Sequence, residues 1–290
     1  MKMRNKDTTK HSHTVPVAYL ANFGIAGNKK RDSMVYFYNV QDNKTDKAKV
    51  GKFPMINHFY DIKELGGQKQ IIEKFFGDKI EGELATLLRV LLGTIIIDPQ
   101  RRDCSSLQLE KEQLSAQFAL LITRTEAFRD YYKDIYQQIK DGFPYADIPQ
   151  YSKTDFQRIH TSEILDFGMS NFYANLFSDW HWAFIINHTE LPFITSDNPV
   201  IRIDHSKITN EPISAASPEA TYFVPLSPTV AVEIFHTDIL KNDLAFFDIY
   251  QIKSIASYNK EIIKNCSRFL FSNKSFEALK CARDKINDET

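Results

Sequence analysis

The last 122 residues of this 290-residue chain contain no glycine; all ten glycines lie at or before position 168. Nowhere does the chain contain G-x-G-x-x-G, G-x-x-x-x-G-K-[ST] or G-x-S-x-G. These motifs need glycine's freedom at φ > 0 and close backbone approach to a ligand, so the signatures of Rossmann dehydrogenases, P-loop nucleotide hydrolases and α/β-hydrolases are excluded. Cysteine is scarce too. Cys104, Cys266 and Cys281 form no C-x-x-C pair, which gives no zinc signature and fits a reducing cytosol. Charge of one sign is also missing: 36 Lys+Arg against 37 Asp+Glu leaves a formal charge of −1, with no global basic footprint for nucleic acid. The most apolar stretch, Leu87 to Ile97, carries Arg89 and falls short of the roughly 20 residues a membrane helix needs. The N-terminus has charge with no apolar run behind it, so neither a signal peptide nor a membrane anchor is expected.

What is present is apolar residue in ordinary proportion, 43% of the chain, and many aromatics, with 22 Phe and 13 Tyr. Core payload is the plain reading of the aromatics, because nothing in their spacing favours base stacking. After an ordered entry segment from His11 to Gly24, the run M-V-Y-F-Y-N-V (34–40) alternates as a strand, turns at Asp42-Asn43-Lys44 and returns over 47–53. From Gln68 the apolar period becomes helical until Asp98-Pro99. A second helix is expected to run from Ser105 or Ser106 to Gly142, about 35 residues and roughly 50 Å. With the first it makes an antiparallel hairpin, followed by a third helix from Thr154 to Phe177. After Trp180 the period falls toward two, predicting five short strands in an antiparallel meander. Their turns would be made by Asn, Asp and Pro, since Asn and Asp best tolerate the left-handed region. Residues 242–265 read as helix, R-F-L-F-S as a last strand and 274–287 as a terminal helix. The order gives an α+β chain: a small N-terminal β element, a long helical hairpin plus a third helix, then an antiparallel sheet and C-terminal helices. It is read as one domain over 1–290, with a subdivision near 178 as the alternative.

The entry H-T-V-P-V-A-Y-L-A-N-F resembles the His-x-Val-Pro-x-x-Tyr-Leu-x-x-Phe opening of the bacterial family called domain of unknown function 4238. Further blocks follow in that family's order: N-H-F-Y-D, the acidic helix around Glu73 and Glu81, R-T-E-A-F-R, T-S-D-N-P-V, then V-P-L-S-P, with Asn259 and Arg268 closing. Val17 departs from the Gln that the family often carries after Val-Pro. The resemblance spans nearly the whole chain and brings no catalytic assignment.

Several residues can carry chemistry. His13 either caps the entry helix or works as acid, base or ligand near neutral pH. Glu73 and Glu81, eight residues apart, fall within about 80° of one another on an ideal helix, as a solvated edge or as a functional face. Arg124 adjoins the apolar stripe of its helix, so its guanidinium needs a carboxylate or an anionic ligand; an internal pair with Glu81 is the structural version. Asp197 and Asn198 sit on a tight turn between apolar segments, either a plain turn or rigidly placed functional groups. No H-E-x-x-H, His–Cys cluster or calcium loop supports a metal site.

Two functions follow. The first is a cytosolic bacterial hydrolase, most concretely a nuclease, within a defence or toxin system: His13, Glu81, Asp197 and Asn198 act on the reacting groups, and Arg124, Arg268 and Asn259 hold substrate. No cofactor is evident, and a divalent metal on Asp197 or Glu81 is the ion this reading admits. Lys29-Lys30-Arg31 and the basic arm would form a local patch for nucleic acid. The second is a non-enzymatic regulatory or partner-binding module in which the His, Arg and Asp blocks form a polar network holding helices to sheet. The hydrolase requires His13, Arg124 and Asp197 to converge on one accessible cleft; the network requires them buried and internally paired.

Overall fold

A computed structural model describes residues 11–25, 32–53, 55–57, 59–62, 71–97, 104–204, 215–237 and 244–279. The arm before residue 11, Lys29-Lys30-Arg31, most of the insertion after Asp204 and the end of the expected terminal helix lie outside these. The chain opens with strand β1 (His11–His13), helix α1 (Val17–Leu20) and a 3-10 turn to Phe23. The hairpin β2 (Met34–Asn39) and β3 (Lys44–Lys49) follows, turning through Asn43 at φ 50. Strand β4 (Met55–Asn57) then pairs with β1, with His13 opposite Met55.

The helical part differs from expectation in three places. Helix α2 (Ile71–Phe75) passes through a five-residue π-turn, Phe76–Ile80, into α3 (Glu81–Ile97). The long second helix is two helices, α4 (Cys104–Thr123) and α5 (Glu126–Gly142), because Thr125 leaves the helical region at ψ 163 and becomes an N-cap. Its hydroxyl donates to Ile122 O at 2.8 Å and accepts from Phe128 N at 3.1 Å, so the chain satisfies its helix ends locally and needs neither Gly nor Pro to break. The third helix is likewise two, α6 (Lys153–Asp166) and α7 (Gly168–Asp179), divided by Phe167 in the left-handed region at φ 55. A Cβ on Gly168 would lie 2.9 Å from Glu163 Oε1, whose carboxylate caps α7 by accepting from Met169 N, so the tight corner takes glycine there.

All five runs expected as strands contain strand, but they do not form one meander. Strands β5 (His181–Asn187), β7 (Ile201–Asp204), β8 (Ala220–Ser227) and β9 (Val230–Phe235) form one sheet in the order β5-β9-β8-β7, all antiparallel. The stretch expected to start a helix at 242 is instead β10 (Leu244–Ile249), which pairs parallel with β5 at the edge; helix α8 (Ile252–Lys264) begins only afterwards. P-F-I-T-S-D contributes just β6 (Thr195–Ser196), and it leaves this sheet. With β11 (Phe269–Ser272) it completes a second, antiparallel sheet in the order β3-β2-β11-β6.

Alternation along these strands fills both faces. Trp182, Phe184, Val224, Val232 and Ile234 face one core, shared with α1, α3, α4 and α7; Ala183, Ile185, Phe223 and Ala231 face the other, closed by Ile255 and Ile262 of α8. The first core draws on both sides of residue 178, from Leu91 to Phe271. Trp180 is the C-cap of α7 and shares that core with Trp182. Trp182 stacks on Phe118 at 5.4 Å and donates its indole N–H to Phe177 O at 2.8 Å, giving its polar edge a partner when buried.

Turns after the last glycine are also built differently from expectation. Among the described residues, the only non-glycine positive φ values are at Asn43 and Phe167, so no turn in the strand-rich half uses the left-handed region. Side-chain oxygens do the work: Asn187 Oδ1 accepts from Thr189 N, Ser196 Oγ from Asn198 N, and Ser227 Oγ from Thr229 N and Val230 N.

Candidate functional site

Four side chains meet where β1 lies against the π-interrupted helix. The His13 backbone N–H donates to Glu73 Oε1 at 3.1 Å, and the same oxygen lies 3.2 Å from His13 Nδ1. The other ring nitrogen, Nε2, is 3.3 Å from Gly51 O. Both ring neighbours are acceptors, so both contacts are hydrogen bonds together only when the ring carries two protons. Arg124 Nη2 donates to His13 O at 2.6 Å and approaches Glu81 Oε1 at 3.4 Å, while its guanidinium carbon lies 4.4 Å from the centre of the Phe76 ring. Arg124 is 1% exposed; His13, Glu73 and Glu81 form a rim at 13, 18 and 19%.

Two local breaks make this arrangement. A π-turn closes i→i+5 and so advances fewer degrees per residue than an α-turn, which reduces the angle of about 80° that would separate Glu73 from Glu81 on a regular helix. The end of α4 at Thr123 carries Arg124 inward, where Tyr60 donates its hydroxyl to Arg124 O at 2.9 Å. Burial disfavours the Arg124 charge, but Tyr60, Glu81 and Glu73 outweigh it and hold the guanidinium above its ordinary range. Burial pushes the Tyr60 phenol up to about 12, with Arg124 opposing. Three polar atoms in the cluster are buried without a partner among the described residues: Arg124 Nε and Nη1, and Glu73 Oε2.

Arg129, the second arginine of R-T-E-A-F-R, serves a separate buried group. It donates to Phe59 O at 2.5 Å, lies 3.5 Å from the Phe59 ring centre, and donates through Nε and Nη2 to His160 Nδ1 at 3.3 and 3.2 Å. His160 Nε2–H completes the chain on Thr123 O at 2.7 Å. Burial first, then the Arg129 charge, lowers His160 to about 3. Nothing in the residue spacing singled out His160, since its partners lie 31 and 37 residues away.

Asp197 does not join His13. Its Oδ1 accepts from Ser267 N at 3.0 Å and faces the Cys266 thiol at 3.6 Å; its Oδ2 accepts from Arg268 N at 2.7 Å and Phe269 N at 3.0 Å. Burial raises this carboxyl, and the backbone N–H groups of 267–269 with the Cys266 thiol pull the other way. Asn198 donates to Asn265 O at 3.3 Å. Asn259 accepts from Ile194 N at 3.1 Å and donates to Pro192 O at 2.9 Å. Arg268 meets Asp197 through its backbone, while its exposed side chain lies 4.9 Å from the Phe269 ring centre. The expected set therefore divides. His13, Glu81 and Arg124 come together with Glu73, whereas Asp197, Asn198, Asn259 and the Arg268 backbone bind α8 and β11 to the segment 192–198. Among the described residues no hydrogen bond joins the two groups, and no group of three or more His, Cys, Asp or Glu could hold a metal ion.

The blocks that make both groups lie in family order along one chain, and comparison with known proteins decides the family. The family described as "Protein of unknown function (DUF4238)" matches residues 11–276. This chain belongs to it. The matched DUF4238 region begins on β1 and ends beyond β11, so it contains the His13 cluster and the Asp197 group alike. No curated protein and no solved structure matches the chain. No helix among the described residues is long and apolar enough to cross a membrane.

Proposed function

We propose that the chain is a non-enzymatic binding module, with the Asp197 group as framework and the His13 cluster as the place of recognition. The observation that carries this reading is the contrast in hydrogen bonding. Asp197 and Asn259 spend their polar side chains on backbone groups, as framework residues do, while Arg124 and Glu73 keep buried polar atoms without partners among the described residues. Cluster charge points the same way: the single arginine is matched by two glutamates, so the cluster offers no surplus of positive charge to a phosphodiester. Cytoplasmic residence in a bacterium, and a role in a defence or toxin system, belong to the proposal and rest on the dispersed cysteines and the family resemblance alone.

The hydrolase reading keeps one supporting observation, the partly exposed His13–Glu73 pair, which has the form of an acid–base dyad. One experiment separates the two. Wild type, His13→Ala and Asp197→Ala are compared for melting temperature and for cleavage of RNA and DNA with and without Mg²⁺. The binding reading expects no cleavage by wild type and a lower melting temperature for Asp197→Ala. Cleavage by wild type that His13→Ala abolishes without lowering the melting temperature overturns it.

A further inference from the structure

From the unpartnered atoms of the His13 cluster we infer that the site takes a small zwitterion of the α-amino-acid class; this rests on the binding reading above. Arg124 is the decisive group. It is nearly fully buried, one nitrogen is committed to His13 O and Glu81, and Nε and Nη1 have no partner among the described residues. A buried guanidinium with free N–H groups asks for an anionic acceptor. Glu73 presents the complementary need: Oε1 is taken by His13, and Oε2 is buried with no partner among the described residues, asking for a cationic donor. The backbone of a single residue sits between them, since the His13 N–H binds Glu73 and the His13 carbonyl binds Arg124. The committed oxygen of Glu73 and the committed nitrogen of Arg124 are thus bridged by one amino-acid backbone, which sets the two side chains about one residue's span apart.

Charge selects among ligands that meet one demand only. An inorganic anion satisfies Arg124 but leaves Glu73 unpaired and meets the repulsion of Glu73 and Glu81. A simple amine does the reverse. A zwitterion places its carboxylate on Arg124 and its ammonium on Glu73 without adding net charge, so both pairings are charge-assisted. The rim of His13, Glu73 and Glu81 is partly exposed beside the buried atoms, so a ligand that reaches them enters from that side by displacing rim side chains. The π-turn Phe76–Ile80 supports this use, since such turns recur where a helix is reshaped for binding.

The test is a melting series on the full chain with each of the twenty L-amino acids, with acetate and methylammonium as half-ligands, and with inorganic phosphate. The inference expects saturable stabilisation by one or a few amino acids, roughly 5 °C at a hundredfold excess over Kd. It expects no such rise with either half-ligand, and loss of the rise in Glu73→Gln, whose own melting temperature need not change. Stabilisation by phosphate and by no amino acid overturns the zwitterion and leaves the binding reading standing. If no probe stabilises the protein the zwitterion falls, and if Arg124→Met also melts higher than wild type the unpartnered groups are only a structural cost and the binding reading falls with it. An equal rise in wild type and Glu73→Gln also overturns the zwitterion, because the ammonium then has no partner in Glu73.

Discussion

Acid should destabilise this protein through His160 in particular. The ring is fully buried, its Nε2–H is held by Thr123 O, and its Nδ1 receives two N–H groups from Arg129. A proton added at Nδ1 would break both arginine bonds and set two positive charges together in the core, which is why the folded value falls to about 3. The unfolded chain takes up that proton near the ordinary value of 6.5, so between about 6.5 and 3 it binds more protons than the folded chain. Stability therefore falls as pH drops through that window, and it is unaffected by this residue above it. The whole interval corresponds to about 5 kcal/mol at most. At pH 5 the loss is about 2 kcal/mol relative to pH 7.5, or roughly 4 °C of melting temperature in a chain of this size. The assay is urea unfolding of wild type and His160→Gln from pH 7.5 to 5. Glutamine can offer a donor to Thr123 O and an acceptor to Arg129 without titrating, so the variant is less stable overall but lacks this part of the pH dependence. Carboxylates common to both cancel in the difference. Parallel curves for the two proteins would refute the argument.

Three further outcomes test the framework. Asp197→Asn sets an amide NH₂ against backbone N–H donors and should cost on the order of 3 kcal/mol in chemical denaturation; a change below about 0.5 kcal/mol would mean the 267–269 contacts carry no stability. Trp182→Phe keeps an aromatic ring against Phe118 but leaves Phe177 O unpaired, for a loss of about 1–3 kcal/mol, whereas Trp182→Ala should lose about 3–5 kcal/mol; equal losses in the two would deny the indole hydrogen bond. Burial, then the Asp197 charge, raises the Cys266 thiol, so peptide mapping after native alkylation at pH 8 should find Cys266 unmodified until denaturant is added.

Periodicity made most helices and strands legible, and it failed where short local bonds overrode it. The apolar stripe continues through Leu120, Leu121 and Phe128, with Arg124 beside it, yet Thr125 ends one helix and caps the next with a single hydroxyl. Phe167 adopts a conformation that its residue type rarely takes, and the only trace in sequence is the glycine beside it. Leu244–Ile249 has apolar residues at both helical and strand spacings, and only the free edge of β5, sixty residues back, selects strand. A carboxylate on a rigid turn was legible at Asp197. That its oxygens are claimed by N–H groups some seventy residues later was not, because such bonds follow from tertiary placement and leave no spacing behind.

The same limit explains how the site itself departs from expectation. His13, Glu81 and Arg124 were identifiable from residue type and position beside apolar stripes. Glu73 takes its place with them through the π-turn, and neither Gly77 nor any other residue of Phe76–Ile80 spells such a turn in sequence. On a regular helix of the same length the two glutamates stand about 80° apart, and the sequence pointed to Glu81 alone as the partner of Arg124. With it, Arg124 faces two carboxylates on one helix, and the balance moves from a site for anions to one that must also accept a cation. Deleting one residue within Phe76–Ile80 would restore regular α-helix with the two glutamates seven residues apart and about 20° from one another, so the pair and the predicted response to amino acids should survive the deletion, while Asp197, in its own group, continues to hold α8 to the sheet.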